Sequence, residues 1–179
     1  MMNVAYINTC TETEGPYKRL AIWFQGCNKR CKECCNIKLQ PLKIANLMSV
    51  NEIVDIIIES KNKYDIEGVT FLGGEPTLQK ELAILAKKIK ELNLGVILFT
   101  GYNLSEIDYE IIKYCDLIVD GEFDVLKIDT NRNMIGSTNQ TINLINDRYK
   151  NVVNWFLNKR NKEVEINLYD HVLFNGDVF

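Results

Sequence analysis

The chain is short of histidine, of basic excess and of long apolar runs, and each shortage removes a class of function. One histidine occurs, His171 in Tyr169-Asp170-His171, and it reads as a surface or internally bonded side chain rather than a base or a metal ligand. The formal net charge is −3, which argues against general nucleic-acid binding through a basic field. No segment is long and apolar enough to span a membrane. The run Met1-Met2-Asn3-Val4 lacks a basic region followed by an apolar stretch, so no signal peptide is expected, and a cytoplasmic setting is. No internal repeat, low-complexity tract or linker marks a second domain, and a length of 179 residues suits one. A single domain over residues 1–179 is therefore expected. A chain of this size buries roughly 70% of its unfolded surface and needs no disulfide staples. Its 46% hydrophobic and 25% charged residues are ordinary for a globular protein.

Against these shortages stand six cysteines. Without an export signal they lie in a reducing compartment, where clustered cysteines form metal sites more often than disulfides. Cys27, Cys31 and Cys34 fall within Gly26-Cys27-Asn28-Lys29-Arg30-Cys31-Lys32-Glu33-Cys34, a C-x3-C-x2-C spacing. Three thiolates on one short loop can hold three irons of a four-iron cluster. The fourth iron is then open to bind and transform a small molecule, whereas a cluster with four cysteine ligands mostly carries electrons. A structural zinc site wants four tetrahedral ligands, often as two paired knuckles. The second pair is missing, and Cys10, Cys35 and His171 stand at no knuckle spacing. Cys35 adjoins Cys34, so its side chain diverges and it reads as a spare thiol. Cys10 and Cys115 read as small core residues. Lys29, Arg30 and Lys32 sit between the cysteines, either as a solvated loop face or as a patch that favours docking of an acidic electron donor.

Strand and helix signals alternate through the middle of the chain. Val4 to Asn8 alternates weakly, and Leu20 to Phe24 is a continuous apolar run typical of a buried strand; Trp23 and Phe24 read as core. Thr9 to Lys18 is polar and turns at Gly15-Pro16. Ser49 is an N-cap with Glu52 three residues on, followed by Val50, Ile53, Val54, Ile57 and Ile58 at helical spacing. Gly68 to Leu72 reads as a strand. Leu78 to Leu92 reads as a helix with Leu82, Leu85, Ala86 and Ile89 on one face. Gly95 to Thr100 reads as a strand, Ser105 to Tyr114 as a helix and Leu117 to Val119 as a short strand. Asn36 to Met48 and Lys127 to Asn133 show no period. Val152 to Phe156, Val164 to Leu168 and Val172 to Phe174 look strand-like, suited to an antiparallel addition at the sheet edge.

Such alternation indicates parallel α/β structure. The strands end in Gly26-Cys27, Gly73-Gly74, Thr100-Gly101 and Asp120-Gly121. Functional loops gather at the carboxyl ends of parallel strands, so these four turns are expected on one rim. In Gly73-Gly74-Glu75-Pro76 the glycines permit close approach of a ligand to the backbone, and the proline fixes the exit of the turn. Exposed carbonyls and a carboxylate suit a cationic amino group.

The cysteine triplet, with the intact GGEP about forty residues later, resembles radical S-adenosylmethionine enzymes. The resemblance implies a [4Fe-4S] cluster on Cys27, Cys31 and Cys34, with S-adenosyl-L-methionine chelating the open iron and its amino group held by Gly73, Gly74, Glu75 and Pro76. It further implies reductive cleavage of the cofactor to a 5′-deoxyadenosyl radical that abstracts hydrogen from the substrate, chemistry that belongs to the cofactors and needs no histidine base. Gly15-Pro16-x-x-Arg19-x-Ala21-Ile22-Trp23-Phe24-Gln25-Gly26-Cys27 is similar to the approach to the cluster in glycyl-radical activating enzymes. Thr100-Gly101-Tyr102, Asp116-Leu117-Ile118-Val119-Asp120-Gly121-x-Phe123 and Gly136-Ser137-Thr138-Asn139-Gln140 look like anaerobic ribonucleotide reductase activating proteins. So do Val164-Glu165-Ile166 and Gly176.

The fold implied is an open α/β partial barrel with a small antiparallel C-terminal addition, since a full eight-unit barrel takes ~250 residues. The partners implied are a glycyl-radical enzyme, as in anaerobic ribonucleotide reductase, and a flavodoxin or ferredoxin as electron donor, in a cell that avoids oxygen. Thr100 and Asp120 would touch the ribose or the substrate loop. The chain departs from the family pattern at Glu33, Cys35, Glu122 and Ile135. Glu33 replaces an aromatic residue that often lies along the adenine. Glu122 and Ile135 stand where partner contacts are expected, which leaves open a ribosomal peptide or a small nucleotide-like molecule as substrate. A non-enzymatic iron–sulfur carrier or zinc module would leave GGEP without a role.

Overall fold

The computed structural model describes residues 1–158, 164–168 and 172–176. Strand β1 (Met2–Thr11) runs antiparallel to β2 (Arg19–Phe24), and β3 (Asn46–Met48) runs antiparallel to β1. From β2 the sheet continues in parallel through β4 (Gly68–Gly73), β5 (Gly95–Phe99) and β6 (Leu117–Asp120). It ends in β7 (Thr141–Leu144), antiparallel to β6. The order is β3-β1-β2-β4-β5-β6-β7, with β3 and β7 as the two edges among the described residues. This is the expected α/β wall, open and built on a parallel centre.

Helix α1 (Val50–Tyr64) returns the chain to β4, α2 (Leu82–Glu91) to β5 and the one-turn α3 (Tyr109–Ile112) to β6. The start of α1 is the expected capping box. Ser49 Oγ accepts from the Glu52 amide, and the Glu52 carboxylate accepts from the Ser49 amide at 2.7 Å. These helices cover one face of the sheet. Leu20, Ile22, Phe24, Val69, Phe71, Val96, Leu98 and Ile118 meet Ile53, Ile57, Leu82, Leu85 and Ile89 there.

Alternate residues of the same strands face the other way. Ala21, Trp23 and Leu72 form one inner cluster; Ile97, Leu117 and Val119 form another with Ile135, Tyr149 and Phe156. Cover on both faces explains why the central strands read as unbroken apolar runs.

The amino ends of the parallel strands are sealed by a polar plug. Arg19, fully buried, donates from Nε to Thr70 Oγ1 at 2.7 Å and from Nη2 to the Val69 carbonyl at 2.9 Å. Its Nη1 reaches the Glu67 carboxylate and the Tyr149 hydroxyl, both at 2.8 Å. Gly95 makes room for this plug, because a β-carbon there would stand 1.9 Å from the Tyr149 oxygen.

Four expectations are corrected. The helix expected over Ser105 to Tyr114 is interrupted. Leu104–Glu106 forms a 3-10 turn capped by Asn103 and Glu106, and α3 starts after Asp108, whose side chain accepts from the Glu110 amide at 2.9 Å. The helix expected from Leu78 begins at Leu82, because Pro76–Leu78 is a 3-10 turn. Val152 to Phe156 is not a strand; its second half enters α4 (Asn154–Leu157), which buries Phe156 against the inner face. The hairpin of β8 (Val164–Leu168) and β9 (Val172–Gly176) is antiparallel but forms its own two-stranded sheet. The antiparallel edge strand is β7 instead. His171 lies outside the described residues.

Candidate active site

The carboxyl ends of β2, β4, β5 and β6 meet around one cavity of about 590 Å³. Cys27, Cys31, Cys34, Gly73, Gly74, Glu75 and Thr100 all line it. Pro76 is buried as the first residue of its 3-10 turn and Asp120 is buried at the end of β6; neither is among the lining residues.

Two glycines fasten the GGEP turn to the start of the cysteine loop. The Gly74 amide donates to the Phe24 carbonyl and the Glu75 amide to the Gly26 carbonyl, each at 2.8 Å. Gly73 has φ +108°, a region that disfavours side chains. A β-carbon on Gly74 would meet Gly26 O at 2.3 Å. Both glycines are thus required by backbone packing against the cysteine loop, in addition to any access they give a ligand.

The Glu75 carboxylate then ties GGEP to β5. Only 1% of Glu75 is exposed. Its Oε1 accepts from Thr100 Oγ1 at 2.8 Å and from Thr77 Oγ1 at 2.7 Å, and its Oε2 accepts from the Gly101 amide at 2.9 Å. The carboxylate is therefore already well bonded, and a cationic ligand would meet the turn's carbonyls as well as its remaining lone pairs. Asp120 has a comparable structural duty. It accepts from the Leu104 amide at 2.6 Å, from Asn143 at 3.0 Å and from the Thr141 hydroxyl, so it fixes the loop after β5.

The cysteine loop is held by a strap that follows it. The Gly26 and Cys27 amides donate to the Leu39 and Gln40 carbonyls at 2.8 and 3.0 Å, and Gln40 Nε2 donates to the Cys31 carbonyl at 3.3 Å. Arg30 and Glu33 adopt left-handed backbone at φ 59° and 57°, which bends the loop around its thiols.

The thiols differ in acidity. A hydrogen bond with Cys35 lowers Cys34 to about 6, and Cys35 is correspondingly pushed up. Burial first, then the Glu122 carboxylate, pushes Cys31 up to about 11; Cys31 Sγ lies 3.7 Å from Glu122 Oε1. Among the described residues no three cysteine, histidine or carboxylate side chains converge on a single ion. Three thiols spread around one cavity match the donor set of a cluster, in which each cysteine takes its own iron. Gly73 and Gly74 also line that cavity, so the turn's backbone borders the same space as the thiols.

Sequence reasoning missed the aromatic wall. Tyr6 stacks on Trp23 with centroids 4.4 Å apart, and both line the cavity with Phe99. Trp23 shares parity with Ala21 on β2, the signal that could have placed it on the inner face. Burial, with Glu14 and Cys35 adding, pushes the Tyr6 phenol up. Lys29 also lines the cavity, its ammonium 3.8 Å from the centre of the Tyr102 ring.

The GSTNQ segment is a clasp. Gln140 Oε1 accepts from the Gly136 and Ser137 amides at 3.0 and 3.1 Å, and its Nε2 donates to the Gly121 carbonyl at 2.9 Å. Asn139 donates to the Glu122 carbonyl at 2.8 Å. The two departures in this region separate: Glu122 is exposed, while Ile135 is buried in the inner core and lines the cavity, away from any outer contact surface.

An open parallel wall with three cysteines and a GGEP turn on one rim defines an enzyme of the radical S-adenosylmethionine type. The chain belongs to the family described as "4Fe-4S single cluster domain", which matches residues 13–143. The family and its relatives imply an iron–sulfur cluster and S-adenosylmethionine as cofactors. The chain is 28% identical over 147 residues to the anaerobic ribonucleoside-triphosphate reductase-activating protein of Enterobacteria phage T4, covering 79% of this chain and 93% of that one. It is 32% identical over 120 residues to the pyruvate formate-lyase-activating enzyme of Clostridium pasteurianum, covering 65% of this chain and 49% of that one. The fold is shared with the crystal structure of QueE from Escherichia coli at TM-score 0.50 and 15% identity, covering 70% of this chain and 73% of that one. Among the described residues no helix is long and apolar enough to cross a membrane.

Proposed function

We propose that this enzyme generates a glycyl radical on a partner protein, as an activator of an anaerobic ribonucleotide reductase, working in the cytoplasm as one domain over residues 1–179. The observation that carries this reading is the backbone stitching of the GGEP turn to the cysteine loop around one cavity. Cys27, Cys31 and Cys34 would hold the cluster as thiolates, and Gly73 to Pro76 would hold the amino-acid end of S-adenosylmethionine. When bound, the cluster supplies the electron that cleaves the cofactor and so furnishes the radical that takes hydrogen from a glycine. The residues of this chain bind, orient and exclude water. Tyr6, Trp23 and Phe99 give the cavity a dry wall, and the Glu75 hydrogen bonds hold GGEP in register with β5. The unclosed sheet supports access for a macromolecule. Leu126, 90% exposed, and Ile128 flank the segment that follows cavity-lining Phe123, and the cation between them, Lys127, is paired with Asp124 at 3.2 Å. Those exposed apolar side chains suit a protein substrate.

The test is anaerobic reconstitution with iron and sulfide, reduction by dithionite with S-adenosylmethionine, and assay for 5′-deoxyadenosine. Addition of an anaerobic ribonucleotide reductase should give a glycyl-radical electron paramagnetic resonance signal, absent with Cys31→Ala. Cofactor cleavage without any glycyl radical on such partners would move the substrate to a peptide or small molecule. No cleavage by a fully loaded protein would sink the reading.

A further inference from the structure

The strap that backs the cysteine loop carries an unusual surface. Between residues 30 and 43 there are four cations, Arg30, Lys32, Lys38 and Lys43, against one carboxylate, Glu33. All four are exposed, and among the described residues none forms an ion pair. The chain as a whole is acidic at −3, so this face opposes the charge of the rest. Apolar side chains stand among the cations: Leu42 is 69% exposed and Ile44 72%, with Ile37 close in sequence at 58%. Single exposed apolar residues are commonplace, but a group of them within one short segment marks an interaction surface.

The strap is also wired to the cluster ligands. Gln40 donates to the Cys31 carbonyl and the Ile37 amide to the Cys34 carbonyl at 3.2 Å, and the Leu39 and Gln40 carbonyls anchor Gly26 and Cys27. Lys38, Leu42, Lys43 and Ile44 are exposed and none of them lines the cavity, so whatever docks here lies beside all three proposed ligating positions and outside the cavity. We infer that this strap is the docking face for an acidic one-electron carrier protein. The inference rests on the proposed function, because it requires a cluster on Cys27, Cys31 and Cys34. In the transfer the carrier is oxidised by one electron and the cluster is reduced by it, with no bond made or broken.

Charge decides among occupants. An acidic carrier is drawn to uncompensated cations and seated by the apolar residues between them, and attraction of this kind raises encounter rates. A second copy in a two-fold contact would set these cations against each other. The substrate protein has the separate rim at Leu126 and Ile128, which carries no excess of cations.

The test compares two reductants on the reconstituted full chain: dithionite, which needs no docking, and a reduced flavodoxin of net negative charge. Loss of cluster absorbance is followed by stopped flow as salt is raised. For the natural sequence the flavodoxin-driven rate should fall steeply with salt, and the dithionite rate should not. The double variant Lys38→Glu/Lys43→Glu should lose about tenfold or more of the flavodoxin rate at low salt and most of its salt dependence, with iron content and dithionite rate unchanged. Leu42→Ser/Ile44→Ser should weaken binding of the carrier while keeping the salt slope. Unchanged flavodoxin rates in both fully loaded variants overturn the docking face. So does loss of glycyl-radical formation with the carrier rate intact, which gives the strap to the substrate protein. Failure of the natural sequence to load a cluster at all would instead refute the proposed function, and the docking face with it.

Discussion

Gly74 lies against Gly26: a β-carbon on Gly74 would stand 2.3 Å from the Gly26 carbonyl oxygen, and the next amide, that of Glu75, donates to that same oxygen at 2.8 Å. The loop proposed to hold the cluster and the turn proposed to hold the cofactor therefore share one hydrogen-bonded seam. Gly74→Ala should force the seam apart. The expected cost is about 1–3 kcal/mol of stability, as for overpacking elsewhere, with less iron and sulfide bound per chain. Denaturant unfolding and iron analysis of the reconstituted protein check both effects.

Thr100→Val should loosen Glu75 at the end of β5, removing the hydroxyl's bond and leaving that of the Gly101 amide. The lost bond to a buried carboxylate is worth about 1.5–3 kcal/mol, and the Tyr102 amide loses its acceptor as well. S-adenosylmethionine binding, measured calorimetrically on the loaded protein, should weaken in Thr100→Val and recover in Thr100→Ser. Unchanged binding with lower stability would leave Glu75 a purely structural role.

Arg19→Lys should be far from conservative. A lysine cannot reproduce the guanidinium's simultaneous bonds to Thr70, Val69, Glu67 and Tyr149. Breaking a buried charged network costs about 3 kcal/mol or more. The thermal midpoint should drop sharply while any folded fraction still loads its cluster, because Arg19 sits at the opposite end of β2 from Cys27.

Stability should fall in alkali. Burial, then Asp116, pushes the Cys115 thiol up to about 12 from 9.0, and burial pushes the Tyr149 phenol up as well, with Glu67 adding and Arg19 opposing. Above the ordinary thiol pKa the unfolded chain has released protons that the folded chain still holds. The stabilisation is thus complete below about pH 9 and is lost as pH rises through the folded value. Urea midpoints of the metal-free protein should decline from about pH 9 upward, and Cys115→Ala should remove part of that slope.

Much of this architecture is legible in the sequence where local and global signals agree. The apolar runs of β2, β4, β5 and β6, the Ser49–Glu52 box and the glycine at each strand end all point the same way. The edges are less legible. β3 and β7 are three and four residues long and mostly exposed or half-buried, so they carry no pattern that pairing alone could reveal. Val152 and Val153 favour a strand by composition, yet the inner core needs Phe156, and a helical turn delivers it. At the site, the cysteines and GGEP are read from spacing. That Asp120 and Glu75 spend their carboxylates on neighbouring loops is set by tertiary contacts that no spacing encodes. The Tyr6–Trp23 wall depends on the antiparallel register of β1 and β2, which likewise appears only once the strands are paired.

The two edges of the sheet have a consequence for size. The sheet runs from β3 to β7, and among the described residues no ladder joins one edge to the other. A ring must keep its strand number to stay closed. This wall can accept extra strands beyond β7, or shed them, while the seam at Gly26 and Gly74 stays as it is. Chain length is therefore free to vary in such a protein, and the rim is not.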